Sequence, residues 1–235
     1  MSERERFSTR HNNLFGFSLS QISRYYEFLK IIQERYRKIA AEFIENTKAQ
    51  QATFQSGTHS VTDEQMQILN KGREISTILH LEIESYFLFA KILLDKVARA
   101  IEFYFGQARG LPLDSHDDLI KNFDNYILAK RLGSLPADIS ELMGNLKACV
   151  SDYRDKEIAH EKSPRTMKAT MFSHGATNTA WVASTRIYPT EKDKQVESKE
   201  IDETMGLIDK YVDGIIKYIQ DNREHANLEK AGSKN

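Results

Sequence analysis

The chain has 235 residues, of which 40% are apolar, enough to bury one sizeable core. Its 33 Lys and Arg residues balance 34 Asp and Glu residues, giving a net charge of −1, so overall charge does not argue for nucleic-acid binding. Any affinity for RNA has to come from a local cluster. The polar N-terminus lacks an apolar segment behind it, so we expect no secretory signal.

The most apolar stretch, residues 78–105, is interrupted by charged and His residues, so we expect no membrane span and no membrane partner; these residues include His80, Glu82, Glu84, Lys91, Asp95 and Lys96. Cys149 is the single cysteine and cannot form an internal disulfide. Its position among apolar residues predicts a small core side chain. A lone reduced thiol fits a cytoplasmic protein.

Residues 1–17 are predicted to form an N-terminal arm. The first helix is predicted from about Leu19 to about Phe54, because apolar residues recur three and four positions apart, the spacing of one buried helix face. These residues are Ile22, Tyr25, Leu29, Ile32, Tyr36, Ile39 and Phe43.

Thr62 and Gln65 predict a capping box at the start of the second helix. This helix is expected to reach about Phe105 and to be the central one, since it is apolar on nearly every side after Ile78. Gly72 predicts a bend or a break within it.

A third helix is predicted to begin near Asp114 or Ser115, with Leu119, Ile120, Phe123, Ile127 and Leu128 as its apolar residues. The segment Ser115-His116-Asp117-Asp118 resembles a metal-binding cluster. We interpret it instead as a helix start with acids in its first turn. A fourth helix is predicted over residues 137–162, ending near Ser163-Pro164 because a residue before proline is disfavoured in helices.

Residues 166–188 are β-branched and aromatic around a turn-like centre, which predicts a small β-hairpin. A last helix is predicted over residues 198–222, with Ile201, Met205, Ile208, Tyr211, Val212, Ile215 and Ile219 inward. Residues 224–235 are predicted to be a disordered tail. The predicted fold is therefore all-α: an antiparallel four- to five-helix bundle domain over 18–223, with the hairpin inserted before its last helix.

The end of the predicted fourth helix carries Arg154, Asp155 and His160. His160 lies seven residues after Tyr153 and so continues the inward stripe of that helix. Arg154 lies one turn after Val150, and a charged head on a partly buried row needs an anionic partner. A helix end that directs an Arg and a His into a groove is a place where we expect a phosphate to bind.

This Arg-polar-x4-His pattern, late in an all-helical chain, resembles the HEPN superfamily (higher eukaryotes and prokaryotes nucleotide-binding). The residue after the arginine is most often Asn in that family, whereas this chain has Asp155. The resemblance covers one helix strongly and the helix order loosely. It implies a metal-independent endoribonuclease, without a cofactor, of the kind found in toxin–antitoxin and phage-defence systems.

In such chemistry a ribose 2′-hydroxyl attacks the adjacent phosphorus. His160 suits the proton transfers, since the reference pKa of His is about 6.5, and Arg154 suits the phosphate charge. Asp155 is expected to orient its neighbours, and Arg165 and Lys168 to hold the phosphate backbone. On a regular helix, Arg154 and His160 stand about 120° apart around the axis and about 9 Å apart along it. The length of the arginine, a distorted last turn or a second subunit must therefore bring them to one substrate. One histidine cannot easily be both acid and base in one step, and the resemblance implies a homodimer in which two motifs line one cleft.

Three alternatives stay open. His160 and Arg154 can be structural, with the His bonded to the carbonyls of its own helix end and the Arg paired with a local acid, and Asp155 can be a surface acid. The protein can be a catalytically inactive HEPN-like module that binds RNA, a nucleotide or a protein partner such as a cognate antitoxin. Glu157-x-x-His160 matches half of a di-metal bundle motif, but no second copy exists, so no metal site is predicted.

Overall fold

The structure is a computed structural model, and it describes residues 14–53, 61–155, 165–174, 178–187 and 201–228, with the backbone alone in 165–174 and 178–187. The described chain is mostly helical. It contains the helices α1 (Leu14–Thr53), α2 (Asp63–Phe105), α3 (His116–Lys130), α4 (Ala137–Leu146) and α5 (Ile201–Asp221). A π-helix (Lys147–Asp152) directly extends α4, and a 3-10 turn (Arg223–His225) follows α5.

Two strands, β1 (Arg165–His174) and β2 (Asn178–Ile187), pair antiparallel. Arg165 lies opposite Ile187, and His174 lies opposite Asn178. The predicted hairpin region, 166–188, overlaps these strands.

The chain divides into two compact units. The first comprises Met1–Leu29, Phe87–Arg154 and Asp202–Asn235, and the second comprises Lys30–Tyr86 and Asp155–Ile201. Helices α1 and α2 each supply residues to both units.

The core of the first unit includes apolar and aromatic residues from α2, α3, α4, the π-helix and α5. Its fully buried members include Leu93, Leu94, Ile101, Leu119, Leu146, Val150, Ile208 and Tyr211. Along α5 the buried residues are spaced three and four apart, and all seven residues predicted to face inward there are buried. Burial of one face is therefore what stabilises this 21-residue helix.

Helix α1 begins at Leu14, several residues before the predicted start, so residues 14–17 belong to a helix and not to the predicted arm. Phe15 explains the earlier start, because it is buried and packs edge-on against Tyr104 with ring centroids 4.8 Å apart. Apolar burial at this position stabilises the additional turn.

The C-terminal segment is also more ordered than predicted. After α5 the chain forms the 3-10 turn, and the Asn227 N–H then donates to the Tyr104 carbonyl at 2.8 Å. Residues 224–228, assigned to the tail from sequence, are thus attached to the end of α2. Residues 1–13 and 229–235 lie outside the described residues.

Within the second unit, the predicted capping box is confirmed. The Gln65 N–H donates to Thr62 Oγ1 at 3.2 Å, and the Thr62 N–H donates to Gln65 Oε1 at 2.9 Å. Gln65 also donates from its side-chain amide to the carbonyl of Thr53 at 2.9 Å, which joins the end of α1 to the start of α2.

Gly72 does not break α2, which is continuous from Asp63 to Phe105. A side chain at Gly72 would meet the amides of Asn46 and Gln50 on α1. Asn46 is buried and donates to the Ile68 carbonyl at 3.1 Å. The glycine therefore permits a close approach of the two helices, which is a common use of this residue inside a helix.

Helix α3 starts at the predicted position. Ser115 is its N-cap, and its hydroxyl oxygen accepts from the Asp118 N–H at 3.1 Å. Of its predicted apolar face, Leu119, Phe123 and Ile127 are buried, but Leu128 is 75% exposed. Tyr126 is buried instead and donates to the Gly106 carbonyl at 2.7 Å, so the inward face turns away from Leu128.

Candidate functional site

The predicted motif begins in a helix that changes its hydrogen-bonding pattern. The α-helical part ends at Leu146, and residues Lys147–Asp152 form a π-helix. Arg154 and Asp155 follow the π pattern again, after one α-helical residue, Tyr153. Segments of π-helix are rare, and they occur frequently at functional sites. Sequence periodicity predicted a regular helix here, and the structure corrects that.

The wider turn changes which side chains are inside. Val150, Ser151 and Tyr153 are buried, whereas Cys149 is only half-buried. Cys149 was predicted to be a core residue, but it is only partly buried. The wide turn brings Ser151 inward and leaves the thiol partly exposed. Tyr153 packs on Phe87 of α2 with ring centroids 4.3 Å apart, which fixes the helix just before Arg154.

Arg154 and Asp155 are both half-buried, and each engages in contacts. Arg154 is the last residue of its segment of the first unit, and Asp155 is the first of its segment of the second. His160 lies outside the described residues. Arg165 and Lys168 lie on β1, opposite Ile187 and Ser184, and their side chains are not described. The structure thus places the Arg half of the motif and leaves its pairing with His160 as a prediction.

The first unit contains a polar cluster that sequence reasoning did not predict. Lys91 of α2 is buried, and its ammonium donates to Asp95 Oδ1 at 3.0 Å and to Asp117 Oδ2 at 2.8 Å. Lys147, at the start of the π-helix, approaches Asp117 Oδ1 at 3.8 Å. Two ammonium groups therefore face two carboxylates, and the cluster is neutral as a whole.

The cluster connects three elements of the first unit. Asp95 belongs to α2, Asp117 to the first turn of α3, and Lys147 to the π-helix that precedes Arg154. Asp95 additionally accepts from the backbone N–H of His116 at 2.8 Å, so a carboxylate satisfies a free donor at the start of α3. Of the acids noted at this helix start, Asp117 thus binds the buried lysine, whereas the backbone amide of His116 is bound by Asp95 of α2.

His116 lies in the same region and is fully enclosed, with no exposed surface. Its ring meets the Tyr211 ring edge-on, with centroids 5.5 Å apart and planes at 87°. Neither ring nitrogen has a hydrogen-bond partner within the part of the chain that the structure describes. Burial, and next to it the charge of Lys91, lowers the pKa of His116 from 6.5 to about 3. The ring is therefore neutral at physiological pH.

The pKa of Asp117 is shifted by opposing effects. Its partial burial raises the pKa, but the hydrogen bond and charge of Lys91, helped by Lys147, outweigh burial and lower it overall. Asp117 therefore stays ionised at neutral pH, which keeps Lys91 compensated in an enclosed position.

Three further buried hydroxyls of the first unit have no hydrogen-bond partner among the described residues: Ser151, Thr204 and Tyr211. Burial raises the pKa of Tyr211 far above its ordinary value of 10, so its hydroxyl remains protonated. Buried polar groups are normally hydrogen-bonded, and unsatisfied ones are uncommon enough to mark strained or functional regions. Two of these residues lie close to the cluster in the chain or in space: Ser151 belongs to the π-helix that carries Lys147, and Tyr211 contacts the His116 ring.

Within the described ranges, no group of three or more His, Cys, Asp or Glu side chains is arranged to hold a metal ion. Independently of this, the hydroxyl of Ser115 caps α3, and Asp117 and Asp118 lie in its first turn, as the sequence predicted. In the same described part of the chain, no helix is both long enough and apolar enough to cross a membrane.

Compared with protein-family models, with curated proteins and with solved structures, the chain matches none of them. The HEPN resemblance therefore rests on the Arg154, Asp155 and His160 pattern and on the helix order.

Proposed function

We propose that this protein is a HEPN-like, metal-independent endoribonuclease that cleaves RNA by attack of a ribose 2′-hydroxyl on the adjacent phosphorus. In this proposal the helices form an antiparallel bundle into which the β1–β2 hairpin is inserted, and the protein works in the cytoplasm. Arg154 and His160 are the catalytic residues, and Asp155 positions them. Arg165 and Lys168 bind the phosphate backbone.

The observation that carries the proposal is the π-helical conformation at Arg154 and Asp155, directly after the buried and packed Tyr153. A π segment stores a local irregularity that packing must stabilise, and such irregularities are common where a side chain has to be aimed. Arg154 is half-buried there, so a guanidinium at this point combines partial desolvation with access to a ligand.

The proposal includes a homodimer, because one histidine does not readily serve as both acid and base in a single cleavage step. Two motifs facing each other across a two-fold axis would supply both roles. Light scattering at micromolar protein concentration should therefore give the mass of a dimer. A clean monomer under the conditions of the activity assay would remove the basis of a composite site.

The catalytic assignment is tested with purified variants on mixed RNAs. His160→Ala removes the proton carrier and should lower the cleavage rate by about 10²–10⁴-fold. Arg154→Ala should cause a loss of about 10²–10³-fold by removing charge stabilisation. Asp155→Ala should have a smaller effect. Melting temperatures measured in parallel separate lost chemistry from lost folding.

Arg223→Ala and His225→Ala are the matched controls. They remove the same two side-chain types from the short turn after α5, outside the motif. Both should cleave at the wild-type rate. Equal losses in motif and control variants, or a folded His160→Ala that cleaves as fast as wild type, would contradict the assignment.

The second candidate is a catalytically inactive HEPN-like module that binds RNA, a nucleotide or a protein partner such as an antitoxin. The net charge of −1 favours it, since nonspecific RNA binding depends on excess positive charge. Wild-type protein that binds RNA or nucleotide but never cleaves RNA would support this alternative.

A further inference from the structure

The start of α3 encloses a titratable ring in a position that tolerates only its neutral form. His116 is the first residue of α3 and has no exposed surface. Its ring nitrogens meet no acceptor within the described part of the chain. A protonated imidazole has two N–H donors, and burying both without acceptors is strongly unfavourable.

Charged groups on two of the elements packed around the ring add to this preference for the neutral form. From α2, Lys91 presents a buried positive charge, and Asp95 is occupied by that lysine and by the His116 backbone N–H. From the π-helix, Lys147 also opposes a positive charge on the ring.

Of the remaining neighbours, only Asp117 opposes the preference for the neutral ring, and burial together with Lys91 outweighs it. Within α3, Asp117 favours protonation, but its carboxylate is bound to Lys91. From α5, Tyr211 faces the ring with its edge-on aromatic group and a neutral hydroxyl. The N-terminal end of α3 itself disfavours a cation at its first residue.

We propose that His116 is a pH-sensitive contact whose protonation opens the junction between the start of α3, α2, the π-helix and α5. The ring cannot accept a proton while it is enclosed. Acid therefore favours conformations in which the first turn of α3 has moved away and water reaches the imidazole. The Lys91–Asp117 and His116–Asp95 bonds, which depend on that turn, are lost in the same opening.

The sign and size of the effect follow from linkage. The pKa of His116 is about 3 in the enclosed state and 6.5 in its ordinary exposed state, so the open form binds more protons between these values. The enclosed state is fully favoured above pH 6.5 and loses its advantage as pH falls. At pH 5.0 the opening equilibrium constant should be about 30-fold larger than at pH 7.5. Asp117, with a pKa below 3.8, stays ionised across this interval and adds nothing to the change.

The experiment is hydrogen exchange of the full chain at pH 7.5 and pH 5.0, corrected for the intrinsic rates, with the backbone amides of Leu119 to Phe123 as reporters. Wild type should show the roughly 30-fold increase in opening. His116→Phe keeps a ring against Tyr211 but cannot titrate, so its opening should change less than threefold. His225→Gln, which removes a partly exposed histidine, should behave as wild type.

Two results would overturn the proposal: less than a threefold increase in wild type, or an equally large increase in His116→Phe. If His116→Phe does not fold, NMR titration of the imidazole carbons of wild-type protein gives the answer. The proposal is supported if the His116 ring of the closed form stays neutral at pH 5.0 while the population of an open form increases with acid. A His116 ring that titrates near pH 6.5 in the closed form refutes it.

Discussion

Replacing Lys91 by methionine tests the buried cluster of the first unit. Methionine has a similar length but no charge, so Asp95 and Asp117 would lose their shared cation. Breaking a fully buried ion pair from one side costs about 3–5 kcal/mol. The lysine side chain is 5% exposed, but those of Asp95 and Asp117 are 30% and 42% exposed, so water stabilises part of the abandoned charge. We therefore expect a loss of about 2–3 kcal/mol at pH 7.

The assay is urea unfolding followed by circular dichroism, with Arg99→Met as the matched control. Arg99 is on the same helix and pairs with Asp114 at 2.8 Å, but both side chains are well exposed, at 44% and 58%. Such a surface pair contributes about 0–1 kcal/mol. Lys91→Met should thus be clearly less stable than Arg99→Met.

A thermodynamic cycle with Asp117→Asn sharpens the test. Because the amide of Asn carries no charge, the double variant Lys91→Met/Asp117→Asn should be at least about 1 kcal/mol more stable than the sum of the single effects predicts. The pH dependence has a definite sign as well. Ionised Asp117 stabilises wild type above its unfolded pKa, and this stabilisation is lost as pH falls through its lower folded pKa. A Lys91→Met variant within 0.5 kcal/mol of wild type, a bound set by typical surface substitutions, would refute the reasoning.

Two further predictions concern packing in the first unit. A side chain at Gly214 of α5 would overlap Ile139 of α4, so Gly214→Ala should destabilise the protein by about 1–3 kcal/mol. Gly144 has open space around it, so Gly144→Ala should stabilise the protein by about 0.5–1 kcal/mol. Thermal melts of both variants test this, and the reverse order of stability would contradict the contact between the two helices. Asn222 accepts from the Gly133 N–H at 2.6 Å and donates to the Tyr218 carbonyl at 2.9 Å. Asn222→Ala should therefore lower the free energy of unfolding in urea by about 1–3 kcal/mol. An unchanged unfolding midpoint would show that the bond to Gly133 does not stabilise the α3–α4 connection.

Local signals in the sequence were sufficient for the starts of α2 and α3. Thr62 and Gln65 form the predicted capping box, and Ser115 caps α3 at its predicted start, because capping involves residues three apart and needs no tertiary information. The inward face of α5 follows equally well from its period, since a single helix packed on one core repeats every 3.6 residues.

The features that were not predicted depend on contacts distant in the sequence. The π-helix before Arg154 adds residues to a turn without any composition signal, and it moves Ser151 inward in place of Cys149. The burial of His116 depends on Tyr211, nearly one hundred residues later. Lys91 appeared only as an interruption of an apolar stretch, although its charge is satisfied by Asp117 on another helix. The signal that could have indicated the cluster is the position of Lys91 on the apolar face of α2, because a buried charge needs a partner of opposite charge.

The most direct test of the proposed nuclease is the chemistry of its products in the presence of a chelator. Purified wild-type protein is incubated with mixed RNAs and EDTA, and the ends of any fragments are analysed, with His160→Ala as the parallel sample. Attack by a ribose 2′-hydroxyl predicts a 2′,3′-cyclic phosphate on one side of the break and a 5′-hydroxyl on the other, with EDTA leaving the rate unchanged. Intact RNA, fragments with 5′-phosphate ends, or cleavage that stops in EDTA and returns with added manganese would contradict the proposal.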